Sequence, residues 1–180
     1  MALYFIALIP VPGLRKEIRS LKDEIKTVTG AKKALNSPAH ITLQRPFKRI
    51  IEFEEKLISK LKLFAEAQYP FTVSLSGFDC FEPRVIFVAI QNSKEIQKLH
   101  TELNSFLLDY LDFETKEINT NIHPHITIAT RDLNKNTFHK VWPTYKDRKF
   151  NRKFTVKSIF LLEHNGKSWD VIQEFLFEEE

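Results

Sequence analysis

Two stretches of this 180-residue chain run through the same order of elements. Residues 3–9 are a continuous apolar run of strand length. Leu14, Ile18, Leu21, Ile25 and Val28 follow at spacings of 4, 3, 4 and 3, which places one apolar stripe on a helix over residues 14–29. Gly30 stands where a glycine ends a helix, and after a polar linker residues 39–43 read as a second strand closed by Pro46. The order then returns. Val85 to Ile90 is an apolar run, Ser93 is a helix cap, and Ile96, Leu99, Leu103, Phe106, Leu107 and Tyr110 share one helix face. A polar linker leads to a strand over residues 125–130. From Ile6 to His40 is 34 residues and from Phe87 to His125 is 38, so the two units agree in length as well as in order. Such a repeat predicts two strand-helix-strand lobes related by an approximate two-fold axis, with a cleft between them.

The rest of the chain adds to both lobes. Phe53, Leu57, Leu61, Phe64 and Ala65 mark a further helix, and Phe71, Val73 and Leu75 alternate as a half-buried strand that Gly77 ends. A weak helix over about residues 132–142 stops before Pro143. Residues 153–163 and 168–177 read as a hairpin joined by a two-residue Asn165-Gly166 turn with positive φ. The expected class is α+β: a bilobal molecule of two antiparallel-sheet lobes with flanking helices and a central cleft. No linker splits it, so residues 1–180 are expected to form a single domain, for which 43% hydrophobic residues supply the core.

Compartment and partners are constrained next. The lone cysteine, Cys80, has no disulfide partner and no thiolate companions for zinc, so it reads as a small buried side chain in a reducing, cytoplasmic setting. The apolar opening segment is too short to span a bilayer and has neither the basic start nor the cleavage pattern of a secretory leader, so neither membrane nor export is expected. A net charge of +4 permits an anionic partner such as a nucleotide or RNA.

Chemistry concentrates in one recurring pattern. His40-Ile41-Thr42-Leu43 and His125-Ile126-Thr127-Ile128 both read His-apolar-Thr-apolar, and both open corresponding strands of the repeat. In a strand, positions i and i+2 share a face, so each His-Thr pair looks one way while the apolar residues enter the core. Two imidazoles facing each other across a cleft can serve as base and acid near neutral pH, and threonine hydroxyls beside them can donate to an oxyanion. A phosphodiester suits such a site. One histidine takes the proton of an attacking water, the other protonates the leaving alkoxide, and the scheme needs no metal or other cofactor.

Ser-Pro-Ala-His-Ile-Thr-Leu-Gln-Arg-Pro-Phe at 37–47 and His-Pro-His-Ile-Thr-Ile-Ala-Thr-Arg at 123–131 resemble the paired His-x-Thr motifs of the 2H phosphoesterase superfamily, nearest to its 2′-5′ RNA ligase-like members. The similarity extends over nearly the whole chain, including the opening Tyr-Phe-Ile-Ala-Leu-Ile-Pro strand, the Val-Ile-Phe-Val-Ala-Ile strand and the C-terminal hairpin with Trp169. It implies a bilobal fold, a metal-free cleft and phosphodiesterase chemistry on 2′,3′-cyclic phosphates of nucleotides or RNA ends. His40 and His125 then occupy the catalytic positions and Thr42 and Thr127 the phosphate-binding ones.

Further candidates are Arg45 and Arg131, which follow the motifs and could neutralise phosphate or simply be solvated, and His123, where Pro124 favours a turn role over substrate contact. Phe47 could stack on a base, although core packing accounts for it as well. The basic run Lys146, Arg148, Lys149, Arg152 and Lys153 could track an RNA backbone but needs no more than a solvated loop. His100, His139 and His164 have no motif partner. Alternatives to cyclic-phosphate opening are 2′-5′ RNA ligation, hydrolysis of 2′-5′ oligonucleotides, and an RNA-end-binding module without turnover. A histidine metal site is poor, because threonine at i+2 is not a usual ligand. A monomer is expected.

Overall fold

The computed structural model describes residues 1–179. In chain order the elements are β1 (Ala2–Leu8), α1 (Pro12–Thr29), β2 (Ile41–Arg49), α2 (Glu54–Glu66), β3 (Phe71–Phe81), β4 (Val85–Ile90), α3 (Lys94–Tyr110), β5 (His125–Ala129), α4 (Lys135–Lys146), β6 (Asn151–Val156), β7 (Ser158–His164) and β8 (Trp169–Leu176). They form two four-stranded antiparallel sheets with orders β2-β1-β7-β8 and β5-β4-β3-β6. The repeat is therefore visible in the topology. In each sheet the strand opening the repeat lies second and the strand carrying His-Ile-Thr lies at the edge.

The apolar run of β1 is explained by burial on both faces. Tyr4, Ile6 and Leu8 enter the main core, while Phe5, Ala7 and Ile9 join Leu162 in a second cluster on the opposite face. α1 lays its Leu14, Ile18, Leu21 and Ile25 stripe into the core against β5 of the other sheet, and α3 packs against β2. Each repeat thus lends its helix to the opposite lobe, and one continuous apolar cluster draws on both sheets. Gly30 closes α1 at φ +78°, its N–H donating to the Lys26 carbonyl. Among the described residues no helix is long and apolar enough to cross a membrane.

Several boundaries differ from expectation. β2 continues past Pro46 to Arg49, because the irregular register between Tyr4–Phe47 and Ile6–Gln44 absorbs the proline in an edge strand. β3 likewise passes through Gly77, whose φ of +68° sits at a bulge between Leu75 and Phe78. The expected strand over 153–163 is two strands: β6 pairs with β3 in one sheet, and after Lys157 β7 pairs with β1 in the other. α4 runs through Pro143 to Lys146, since that proline lies on the exposed side while Val141 and Tyr145 hold the helix to the core. Val28 and Tyr110 end their helices exposed, at 70% and 52%, outside the stripes assigned to them. Ser93 stands at the start of α3, yet its hydroxyl accepts from the Gln97 side chain and not from a backbone N–H.

The final hairpin also departs from the two-residue turn. His164 pairs with Trp169, leaving a four-residue loop in which Gly166 alone has positive φ, at +96°. Asn165 Oδ1 accepts from the N–H groups of Lys167 and Ser168, both at 2.9 Å, and so closes the loop with its side chain. A Cβ at Gly166 would meet nothing within 4 Å, so Gly166→Val tests backbone strain alone. It is expected to cost about 1–3 kcal/mol, read as a lower denaturation midpoint. A midpoint equal to wild type would contradict the strained conformation.

Candidate functional site

Each motif segment, at the start of β2 and of β5, turns one face to the core and the other to the cleft. Ile41, Leu43, Ile126 and Ile128 are buried in the core, whereas His40, Thr42, His125 and Thr127 are half-buried on the opposite face. The two half-sites are built alike. His40 Nδ1 lies 2.8 Å from the Pro38 carbonyl and His125 Nδ1 lies 2.6 Å from the His123 carbonyl. A carbonyl only accepts, so each Nδ1 carries the hydrogen and each Nε2 is left bare. The Phe5 ring of β1 lies 4.9 Å from the His40 ring at 52°, and the Phe87 ring of β4 lies 4.8 Å from the His125 ring at 51°. The pseudo-symmetry therefore extends to the aromatic wall behind each imidazole.

Two cavities meet here. One, of about 390 Å³, is lined by His40, Thr42 and Thr127 together with Phe5, Arg131 and Trp169. The other, of about 330 Å³, is lined by His125, His123, Arg45 and Phe81, and again by Thr42. Thr42 belongs to both, so the cavities adjoin, and Thr127 of the second motif reaches the cavity of the first histidine. The fold thus gathers both His-Thr pairs, placed 85 positions apart in sequence, around one depression.

Burial governs the protonation of this site. It lowers the His40 pKa to about 4, against the opposing pull of the Pro38 carbonyl, and the positive charges of Lys22 and His125 act in the same lowering direction. Burial also lowers the pKa of His125, opposed by the His123 carbonyl and reinforced by the His123 ring. Both imidazoles are neutral at pH 7 in the free protein. A bound anion would raise both values by favouring the imidazolium.

The other expected residues divide. Arg131 is exposed and lines the His40 cavity. Arg45 borders the His125 cavity, but its guanidinium donates to the carbonyls of Lys116 and Glu117, so much of its hydrogen-bonding capacity is committed to that loop. His123 is exposed, sets its ring edge-on to Phe81 and Phe87, and supplies the carbonyl that orients His125. Phe47 is corrected: at 4% exposure, packed edge-on to Phe113 at 4.8 Å, it is a core residue and cannot stack on a base. In the basic run, Arg148 pairs with Glu24 and Arg152 with Glu17, each at 2.7 Å, so these two are tied to α1. Sequence reasoning missed Phe5, Lys33, Asn36 and His164 as lining residues. Phe5 and His164 reach the cavity only because β1 pairs with β7, which no local pattern announces.

The model of the 2′-5′ RNA ligase superfamily matches residues 10–168. A protein of Geobacillus kaustophilus assigned by name to the phosphoesterases is 30% identical over 143 residues, covering 77% of this chain and 78% of its own length. Among solved structures, TT0787 of Thermus thermophilus superposes with a TM-score of 0.75 at 20% identity, covering 100% of both chains. LigT of E. coli gives 0.66 at 17% identity, covering 98% of this chain and 97% of its own. LigT has also been solved in complex with 3′-AMP and with ATP. At these identities the structural likeness establishes the fold.

Proposed function

Since the chain belongs to the 2′-5′ RNA ligase superfamily and has phosphoesterases among its relatives, we propose that it is a metal-independent phosphodiesterase that opens 2′,3′-cyclic phosphates of nucleotides or RNA ends. The observation that carries this reading is the equivalent pair of imidazoles, each fixed through Nδ1 by a carbonyl so that Nε2 is left bare, in adjoining cavities that Thr42 and Thr127 help to line. The nucleotides bound by LigT support a nucleotide as the carrier of the phosphate.

Water attacks phosphorus while one Nε2 takes its proton, one ring P–O bond breaks, and the other imidazole delivers a proton to the departing oxygen. Thr42 and Thr127 donate to the non-bridging oxygens, whose charge grows in the transition state. We assign His125 as the base and His40 as the acid. Burial holds both imidazoles below the ordinary histidine range, so a proton placed on either ring is readily given up. The cost is that this protonation state is sparse in the free protein. A phosphodiester anion in the cleft offsets that cost by stabilising the imidazolium.

Incubation with adenosine 2′,3′-cyclic phosphate tests the reading: a phosphomonoester should accumulate, whereas intact substrate with measurable affinity would point to an RNA-end-binding module. Turnover should survive EDTA, because the hydroxyls at i+2 of each histidine are poor metal ligands. Activity lost in EDTA and restored by zinc would reject the metal-independent scheme.

A further inference from the structure

Beside the catalytic depression, on the far side of Ser37 and Trp169, lies a cavity of about 500 Å³ that the chemistry above does not use. Its wall from α1 carries Arg15, Lys16, Arg19 and Lys22, and no acidic residue lines it. Arg15, Arg19 and Lys22 stand at i, i+4 and i+7, so they form a cationic stripe one position round from the apolar stripe of Leu14, Ile18 and Leu21. Of these four cations, only Arg19 has a carboxylate partner among the described residues, Asp23 at 3.4 Å, and both of those side chains are about half exposed. Lys22 is the telling member. It is 2% exposed, its ammonium donates to the Ser37 carbonyl at 3.0 Å, and no carboxylate among the described residues pairs with it. Burial and the nearby Arg19 together lower its pKa to about 8.

A buried ammonium without a counter-ion is costly unless an anion arrives. Asn36, Ser37 and Trp169 line both this cavity and the one holding His40, so an occupant here would be continuous with whatever occupies the cleft. We propose that this basic cavity is a second phosphate subsite, which holds a phosphate joined to the nucleotide whose cyclic phosphate lies between His40 and His125. The inference rests on the phosphodiesterase reading and sharpens it: the preferred substrate carries at least one phosphate besides the one being opened.

Two sources offer that chemistry, a 5′-phosphate on a mononucleotide and the internucleotide phosphate of an RNA end. Three substrates separate them: adenosine 2′,3′-cyclic phosphate, its 5′-phosphorylated form, and a diadenosine dinucleotide with a free 5′-hydroxyl and a terminal 2′,3′-cyclic phosphate. The extra phosphate should raise kcat/KM about tenfold or more, mainly through KM, and the gain should shrink between 50 and 200 mM salt. A gain confined to the 5′-phosphorylated form assigns the subsite to a terminal phosphate, and one confined to the dinucleotide assigns it to a strand. In Arg15→Gln/Arg19→Gln, whose altered side chains reach solvent, the ratio between phosphorylated and plain substrate should fall towards one. Lys22→Met should do the same, and circular dichroism checks that it folds.

A binding arm keeps this inference separable from the catalytic one. By calorimetry, adenosine 3′,5′-bisphosphate should bind about tenfold more tightly than adenosine 3′-phosphate, and the difference should vanish in the arginine double variant. Absence of turnover with that difference intact would sink the catalytic reading and leave the subsite standing. Equal rates for all three substrates with equal affinities for the two inhibitors would overturn the subsite. So would a gain that survives Arg15→Gln/Arg19→Gln.

Discussion

His40→Ala and His125→Ala are each expected to slow opening of a 2′,3′-cyclic nucleotide by about 10²-fold or more, and the double variant should lose far less than the product of the two. Thr42→Ala and Thr127→Ala should cost less than either, because a hydroxyl donor is removed and a proton carrier is not. The pH profile follows from burial. The reaction needs one imidazole protonated and one neutral, and both pKa values lie below the ordinary 6.5, His40 at about 4. Above both values the doubly neutral site dominates, so kcat/KM should be bell-shaped with its maximum on the acid side of 6.5 and should fall as pH rises through neutrality. In the complex, the substrate anion raises both values, so the kcat profile should sit at higher pH. A kcat/KM maximum above pH 7.5 would contradict the depressed pair.

The division of labour can be read separately, because acid-base assignments that exchange the two histidines predict the same pH profile. A 4-nitrophenyl phosphodiester of thymidine has a leaving group that departs without a proton. On it His40→Ala should recover most of the wild-type rate while His125→Ala stays impaired. The opposite pattern would exchange their roles. Wild-type rates for both single variants on the cyclic nucleotide would end the catalytic reading.

The parts of this molecule that were legible in sequence are those written in local periodicity. The double-faced burial of β1 appears as an unbroken apolar run, α1 and α3 as stripes at helical spacing, and the motif strands as His-apolar-Thr-apolar, because alternation alone separates cleft from core. What escaped depends on pairings that local patterns do not encode. Pro46 reads as a stop until β2 is known to be an edge strand with a bulge. The break at Lys157 does leave a trace: Phe154 and Val156 are buried on even positions, Ile159 and Leu161 on odd ones, so the inward phase slips by one residue where the chain changes sheets. Lys22 reads as an ordinary polar-face lysine until the 36–38 segment folds over it.

Phe87 connects the fold to the site, and its removal is expected to have a large effect on stability. It is 1% exposed, lies in β4 opposite Thr127, and sets its ring 4.8 Å from His125 and 4.7 Å from Phe81. Truncation to alanine deletes a fully buried ring from the sheet face beneath His125 and leaves a cavity that β4, hydrogen-bonded on both sides, cannot collapse to fill. The expected cost is about 3–5 kcal/mol, a large share of the roughly 5–15 kcal/mol that holds a domain of this kind together. Phe81→Ala supplies the contrast. Phe81 touches the same histidine at 5.2 Å but is 42% exposed, so its loss forfeits much less burial and should cost about 1 kcal/mol. Urea denaturation of the two variants decides whether the wall behind His125 is held by burial. A Phe87→Ala midpoint close to wild type, or equal losses for the two variants, would show that it is not.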